Sequence, residues 1–235
     1  MHKLGTVAFL LFGFAIVGYV TLFASNTQSQ FTALQSWVKT EGWEFERPGN
    51  RISYRITAPN WTLEAIQGDK KAPPSLDAKP KTIWRTRGKH DRTSFVLTPF
   101  LPPEVYTNVE HRSRNQERLF EYILGDEASH FSSLVQTSLP EELAPHFTYF
   151  RESSASSAPL DYPQIRESLE GLRENLQHSP IVTANPRGLS VRAQTMIFGP
   201  KTLQQLIQFS TQMERLAQAP SPSPVAVLKN EISIK

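Results

Sequence analysis

The stretch GWEFE-RPGN-RISYRIT-APN-WTLEAI, residues 42–66, confines this chain more than any other part of it. Trp43 and Phe45 alternate with Glu44 and Glu46. Ile52, Tyr54 and Ile56 alternate with Arg51, Ser53 and Arg55, and Trp61 and Leu63 alternate with Thr62 and Glu64. A period of two between polar turns predicts an antiparallel meander with one buried face. A turn at Pro48-Gly49 would pair Phe45 with Ile52 and Trp43 with Tyr54. It would also set Glu46 against Arg51 on the solvent side.

The flanking residues extend this pattern. FTALQSWVKTEG reads as a helix with Phe31, Leu34, Trp37 and Val38 on one side, stopped at Gly42. KTIWRTR and TSFVLTPF read as two further strands joined by a tight GKHD loop, completing a sheet of about five strands over 43–100. NQERLFEYILGDEASHFSSLVQTSLP keeps one apolar helical face from Phe120 to Val135, with a bend or restart at Gly125. HFTYF is a strand, and RESSASSAPL is a serine-rich loop. YPQIRESLEGLRENL is a helix with Ile165, Leu169, Leu172 and Leu176 inward. PIVTANPRGLSVRAQ is a hairpin turning at Asn185–Gly188. The last helix, in FGPKTLQQLIQFSTQMERLA, buries Leu203, Leu206, Ile207, Phe209 and Met213. The fold class expected is α+β: an antiparallel sheet, then a helix-rich half ending in a hairpin and a helix. Residues 31–101 and 102–219 are the two stretches, with or without a shared core.

Before them lies a different kind of segment. Leu4 to Ala24 carries no charge, and its few polar side chains, Thr6, Tyr19 and Thr21, lie near its ends. At ~1.5 Å per residue such a helix reaches about the ~30 Å of a bilayer's hydrocarbon core. The run is longer than a signal peptide's apolar stretch, and bulky Leu22 spoils cleavage after Ala24, so a retained anchor over 1–24 is expected. Residues 25–30 form a polar spacer. The bias of Lys3 against the more distant Lys39 places the N-terminus in the cytoplasm and the body on the exported side, periplasmic or extracellular. The absence of cysteine suits such a compartment and leaves no disulfide framework. At the other end, QAPSPSP is a linker, and VAVLKNEISIK places Val225, Val227, Ile232 and Ile234 at alternating positions. This 220–235 tail is either a strand returning to its own sheet or one added to a partner's edge.

Composition excludes more than it assigns. The net charge of +3 is too small to argue for nucleic acid. The six histidines show no metal-ligand spacing and there is no cysteine to join them, so no metal and no cofactor is expected. Neither a phosphate-cradling glycine loop nor a G-x-S-x-G elbow occurs. Two clusters remain. Asp126, Glu127 and His130 fall together in GDEASHF, where an α-helix would put Asp126 and His130 on one face as a carboxylate-oriented general base. Lys79, Lys81, Arg85, Arg87, Lys89 and Arg92 surround Trp84. Strand alternation turns Trp84 to the core and the bases outward, toward solvent or an anionic lipid surface.

The sequence therefore reads as a single-pass, membrane-tethered envelope protein whose exported domain acts without catalysis, as a binding or structural module that meets a protein partner or the membrane surface. Two rivals stand beside that reading. One is a membrane-anchored hydrolase using Asp126 and His130. The other is a cytoplasmic-side domain that touches anionic lipid through residues 79–92.

Overall fold

The computed structural model describes residues 28–72, 75–76, 78–87, 94–99, 112–131, 133–139, 141, 143–145, 147–152, 163–176 and 179–218. The segment 4–24, Lys89, Arg92, the GKHD loop, the serine-rich loop and the tail with Val225, Val227, Ile232 and Ile234 lie outside these residues.

The described chain is α+β. A helix α1 (28–40) precedes strands β1 (Glu44–Glu46), β2 (Ile52–Thr57), β3 (Trp61–Ile66), β4 (Lys81–Thr86) and β5 (Phe95–Pro99). Helix α2 (Arg112–Leu124) runs into a 3-10 helix (Gly125–Phe131), then β6 (Val135–Thr137) and β7 (Phe147–Arg151). Helix α3 (Pro163–Asn175), the hairpin β8 (Ile181–Asn185) and β9 (Gly188–Ala193), and α4 (Pro200–Gln218) complete it. The strands form one nine-stranded sheet in the order β1-β2-β3-β4-β9-β8-β5-β7-β6, and every described pairing is antiparallel.

That order corrects the sequence expectation of a five-stranded sheet. β4 and β5 are strands but not neighbours. The β8–β9 hairpin lies between them, with β9 on β4 and β8 on β5. Local alternation identifies a strand, but nothing in it says which later strand will pair there. Because of this insertion, residues before and after position 102 share one sheet and one core.

Two apolar layers hold the sheet. On one face α1, α3 and α4 pack over Tyr54, Ile56, Leu63, Trp84, Leu97, Tyr149 and Val191. On the other face Leu119, Phe120, Ile123 and Phe131, from α2 and the 3-10 helix, cover Val96, Phe150 and Ile181. β5, β7 and β8 are thus buried on both sides, which explains their near-continuous apolar sequences. β3, and β2 from Tyr54 onward, alternate in burial, and no helix among the described residues covers their second face.

The first hairpin departs from the expected register. Phe45 pairs with Ile56 and Glu46 with Arg55, four residues along from the expected partners. The tight turn is Asn50-Arg51, not Pro48-Gly49. Both residues have positive φ, 49° and 80°, and the Ile52 N–H closes the turn on the Gly49 carbonyl at 3.0 Å. Asn-X turns with φ positive at both central positions match the right-handed twist of a hairpin. Pro48 sits in the entry to the loop. Alternation survives this slip because four is an even number, so the same side chains stay inside.

Helix starts and stops follow the sequence closely. At the end of α1, Gly42 has φ 74°. Its N–H meets the Lys39 carbonyl, and the Trp43 N–H meets the Val38 carbonyl, both at 3.1 Å. This is a Schellman closure. Gly125, at φ 59°, ends α2 and lets the chain tighten into the 3-10 turn. The expected continuation of that helix through Val135 does not occur. Leu134 stays buried, but Val135 lies in β6 and is 45% exposed.

Candidate functional site

The face of the sheet left open beside α2 carries a row of charge. On β1, β2 and β3, Glu46, Arg55 and Glu64 are successive cross-strand partners. Arg55 donates through Nη1 to Glu46 at 2.7 Å and through Nε to Glu64 at 2.6 Å. These bonds, that to Glu46 first, raise the already high pKa of Arg55. Arg85 on β4 continues the row, 3.3 Å from Glu64 and 3.7 Å from Glu127 of the 3-10 helix. Glu127 in turn lies 3.8 Å from Arg192 on β9. The signs alternate along the whole row, as cross-strand pairing favours.

Arg192 anchors the inner end. It is 3% exposed, and its Nη1 donates to the Ile123 carbonyl at 3.0 Å. That carbonyl belongs to the last turn of α2, whose final C=O groups have no partner within the helix. A buried cation there satisfies the carbonyl and complements the helix dipole.

Where the row meets the β8–β9 turn a cleft opens, with a volume of about 230 Å³. Arg85 and Thr86 form one side, and Glu127 and His130 come from the 3-10 helix. Thr183, Ser190 and the turn residues Asn185, Arg187 and Gly188 complete it. Local chemistry sets this turn. The Asn185 Oδ1 accepts the Arg187 N–H at 2.8 Å, an Asx turn that fixes where Arg187 leaves the backbone. Thr86 ties the hairpin to β4 by accepting the Leu189 N–H at 3.0 Å. Among the described residues, Arg85 is committed to two glutamates, while Arg187 and His130 have no ion-pair partner. The cleft is thus left with cationic and donor character. It is smaller than the ~300–1,000 Å³ of pockets that enclose whole drug-sized ligands. Its size suits a single group, such as a carboxylate, held by a guanidinium fork and hydroxyls.

The residues singled out by sequence separate here. Three residues make a turn of a 3-10 helix, so positions three apart share a face and positions four apart do not. The pair expected at Asp126 and His130 assumed α-helical winding. Of the three candidates Glu127 and His130 line one cleft, and the Asp126 side chain lies outside the described residues. Of the basic cluster, Arg85 joins the cleft. The Arg87 backbone N–H pairs with the Asn60 carbonyl at 2.8 Å, and Lys81 is buried and engaged. Lys79 lies in the loop that reaches α2 through the 2.8 Å bond from Leu76 N–H to the Tyr122 carbonyl. Trp84 is fully buried, on the side alternation assigned to it. Arg187, Asn185, Thr183 and Ser190 were not singled out by sequence. The N-P-R-G turn was legible and announces an exposed arginine. Its nearness to Arg85 was not, because the two residues lie about a hundred positions apart.

Compared with protein-family models, with curated proteins and with solved structures, the chain matches none.

Proposed function

We propose that this protein is a membrane-tethered recognition domain of the cell envelope. Residues 4–24 hold it in the bilayer, and the Arg85–Arg187–His130 cleft binds an acidic group of a protein partner on the exported side. The observation that supports this reading is the position of the cleft relative to the tether. β3 and β4 pair Ile66 with Lys81 at one end and Trp61 with Thr86 at the other. α1 starts at the first end, where Phe31 packs on Phe198, and finishes at the second, where Trp37 packs on Trp43 and Trp43 on Trp61. The apolar segment precedes α1, so it leaves from the first end. The cleft lies at the second, beside Thr86. A tethered domain reaches a partner most freely at the end farthest from the bilayer.

Two measurements test this in cells. A C-terminal tag should be lost on protease treatment of intact spheroplasts, with lysed cells as the positive control. A photoreactive residue at exposed Pro186 should give a protein adduct in wild type and none after Arg187→Glu. A protected tag would refute the exported orientation, and an adduct indifferent to Arg187→Glu would remove the cleft as the binding site.

The hydrolase reading keeps one supporting observation, the shared cleft of Glu127 and His130. It predicts a hydrolytic activity in a substrate screen that His130→Ala abolishes.

A further inference from the structure

The opposite end of the sheet carries a second, larger concavity of about 760 Å³. Its walls are mixed: Phe31 from α1, Ile52 from β2, and Met196 and Phe198 from the segment after β9 give an apolar stretch, with Gln30, Ser53 and Gln67 as polar edges. Phe31 and Phe198 meet edge to face at 5.4 Å, which gives the groove a rigid aromatic side. One cation guards it. Arg47 lies with its guanidinium carbon 4.0 Å from the centre of the Phe31 ring, and it has no ion-pair partner among the described residues. An apolar stretch with a cation at the rim has the polarity of a phospholipid, with acyl chain inside and phosphate at the mouth.

The position of the groove argues for the same occupant. Gln30 lines it, and only residues 25–29 separate Gln30 from Ala24, the last residue of the apolar run. A chain of that length spans at most about 20 Å when fully extended and about 9 Å as helix. With residues 4–24 in a bilayer, the groove would be held near the headgroup layer, which adds about 5–8 Å to the hydrocarbon core on each side. A soluble ligand would need no such placement.

We infer that this groove takes one acyl chain of a bilayer phospholipid, with the lipid phosphate against Arg47. The inference rests on the tether reading above, and the test separates the two. Full-length protein is reconstituted into vesicles of phosphatidylethanolamine and phosphatidylglycerol, 3:1, containing a trace of phosphatidylglycerol with a diazirine on one acyl chain. Vesicles are floated, irradiated, and adducts are mapped by peptide mass spectrometry. Adducts are expected on Phe31, Ile52, Met196 and Phe198 in addition to 4–24. Met196→Trp, which fills the groove, should lower the groove adducts about tenfold, as should Ile52→Trp if the first variant folds poorly. Arg187→Glu, at the other end, should leave them unchanged. Flotation with adducts confined to 4–24 would keep the tether and overturn the groove, as it would if the tail or a second copy filled it. Failure to float would overturn both.

Discussion

Arg55 and Arg192 both pair with glutamates on the same face of the sheet, yet their surroundings assign them very different importance. The Arg55 side chain is 33% exposed, and water screens its bonds to Glu46 and Glu64. Arg55→Ala should cost less than about 1 kcal/mol. Arg192 is buried and donates to the Ile123 carbonyl in the last turn of α2. Arg192→Met keeps the apolar stem but takes that donor away, which costs about 2 kcal/mol. Urea denaturation of the two variants checks this, and equal midpoints would refute it. Tyr54 gives a pH prediction. It is fully buried, its hydroxyl donates to the Ile197 carbonyl, and burial, only partly offset by its hydrogen bond with Thr82, pushes its pKa well above the ordinary 10.0. The neutral phenol is the form that folds. The stabilisation is therefore complete below pH 10 and is lost as pH rises beyond it, where the unfolded chain ionises and the native one does not. The slope for one such group is about 1.4 kcal/mol per pH unit. Tyr54→Phe should be less stable at pH 7 but should lose less stability between pH 10 and 11. A parallel decline in the two proteins would contradict the assignment.

At the scale of elements, helix ends were more legible than strand partners. Gly42 was marked as a stop by sequence, and the structure gives it a positive φ with open space around its Cα. Gly42→Ala therefore meets no clash, and its cost is the left-handed backbone alone, about 1 kcal/mol. For a domain of this size that is a fall in Tm of roughly 2–4 °C. A calorimetric Tm unchanged within a degree would show that the Schellman closure contributes nothing. Helices α3 and α4 were also legible, because Ile165, Leu169 and Leu172, and Leu203, Leu206 and Met213, recur at helical spacing and are all buried. The 3-10 helix was not. Its sequence continues an amphipathic pattern, and only the left-handed Gly125, together with Phe131 packing beneath α2, tightens the winding.

At the scale of the whole molecule, the inserted hairpin decides cooperativity. β4 belongs to the early stretch and β9 to the late one, and they feed Trp84 and Val191 into one cluster with Leu203 of α4. Neither stretch can open without exposing the core of the other. Unfolding should therefore be a single transition, with tryptophan fluorescence and far-ultraviolet dichroism coincident in denaturant. Two separated transitions would mean that 31–101 and 102–219 are independent units. The same pairing creates the cleft, since it brings the Asn185–Gly188 turn against Arg85 and Thr86.

What the sequence alone determined was local: which residues alternate, which repeat every three or four, and where glycine or proline ends an element. Those patterns follow from the fixed geometry of strand and helix, so Trp84 was assigned to the core and Leu169 to a helix's inner face without knowledge of their neighbours. The α+β class follows from the order of such elements. What only the tertiary structure decided was non-local: the place of β8 and β9 between β4 and β5, the alternating charge row, and the meeting of Arg85, Arg187, Glu127 and His130. The strand insertion and the meeting of Arg85 with Arg187 join residues about a hundred positions apart, and such contacts are selected by the mutual burial of two faces rather than by any one segment.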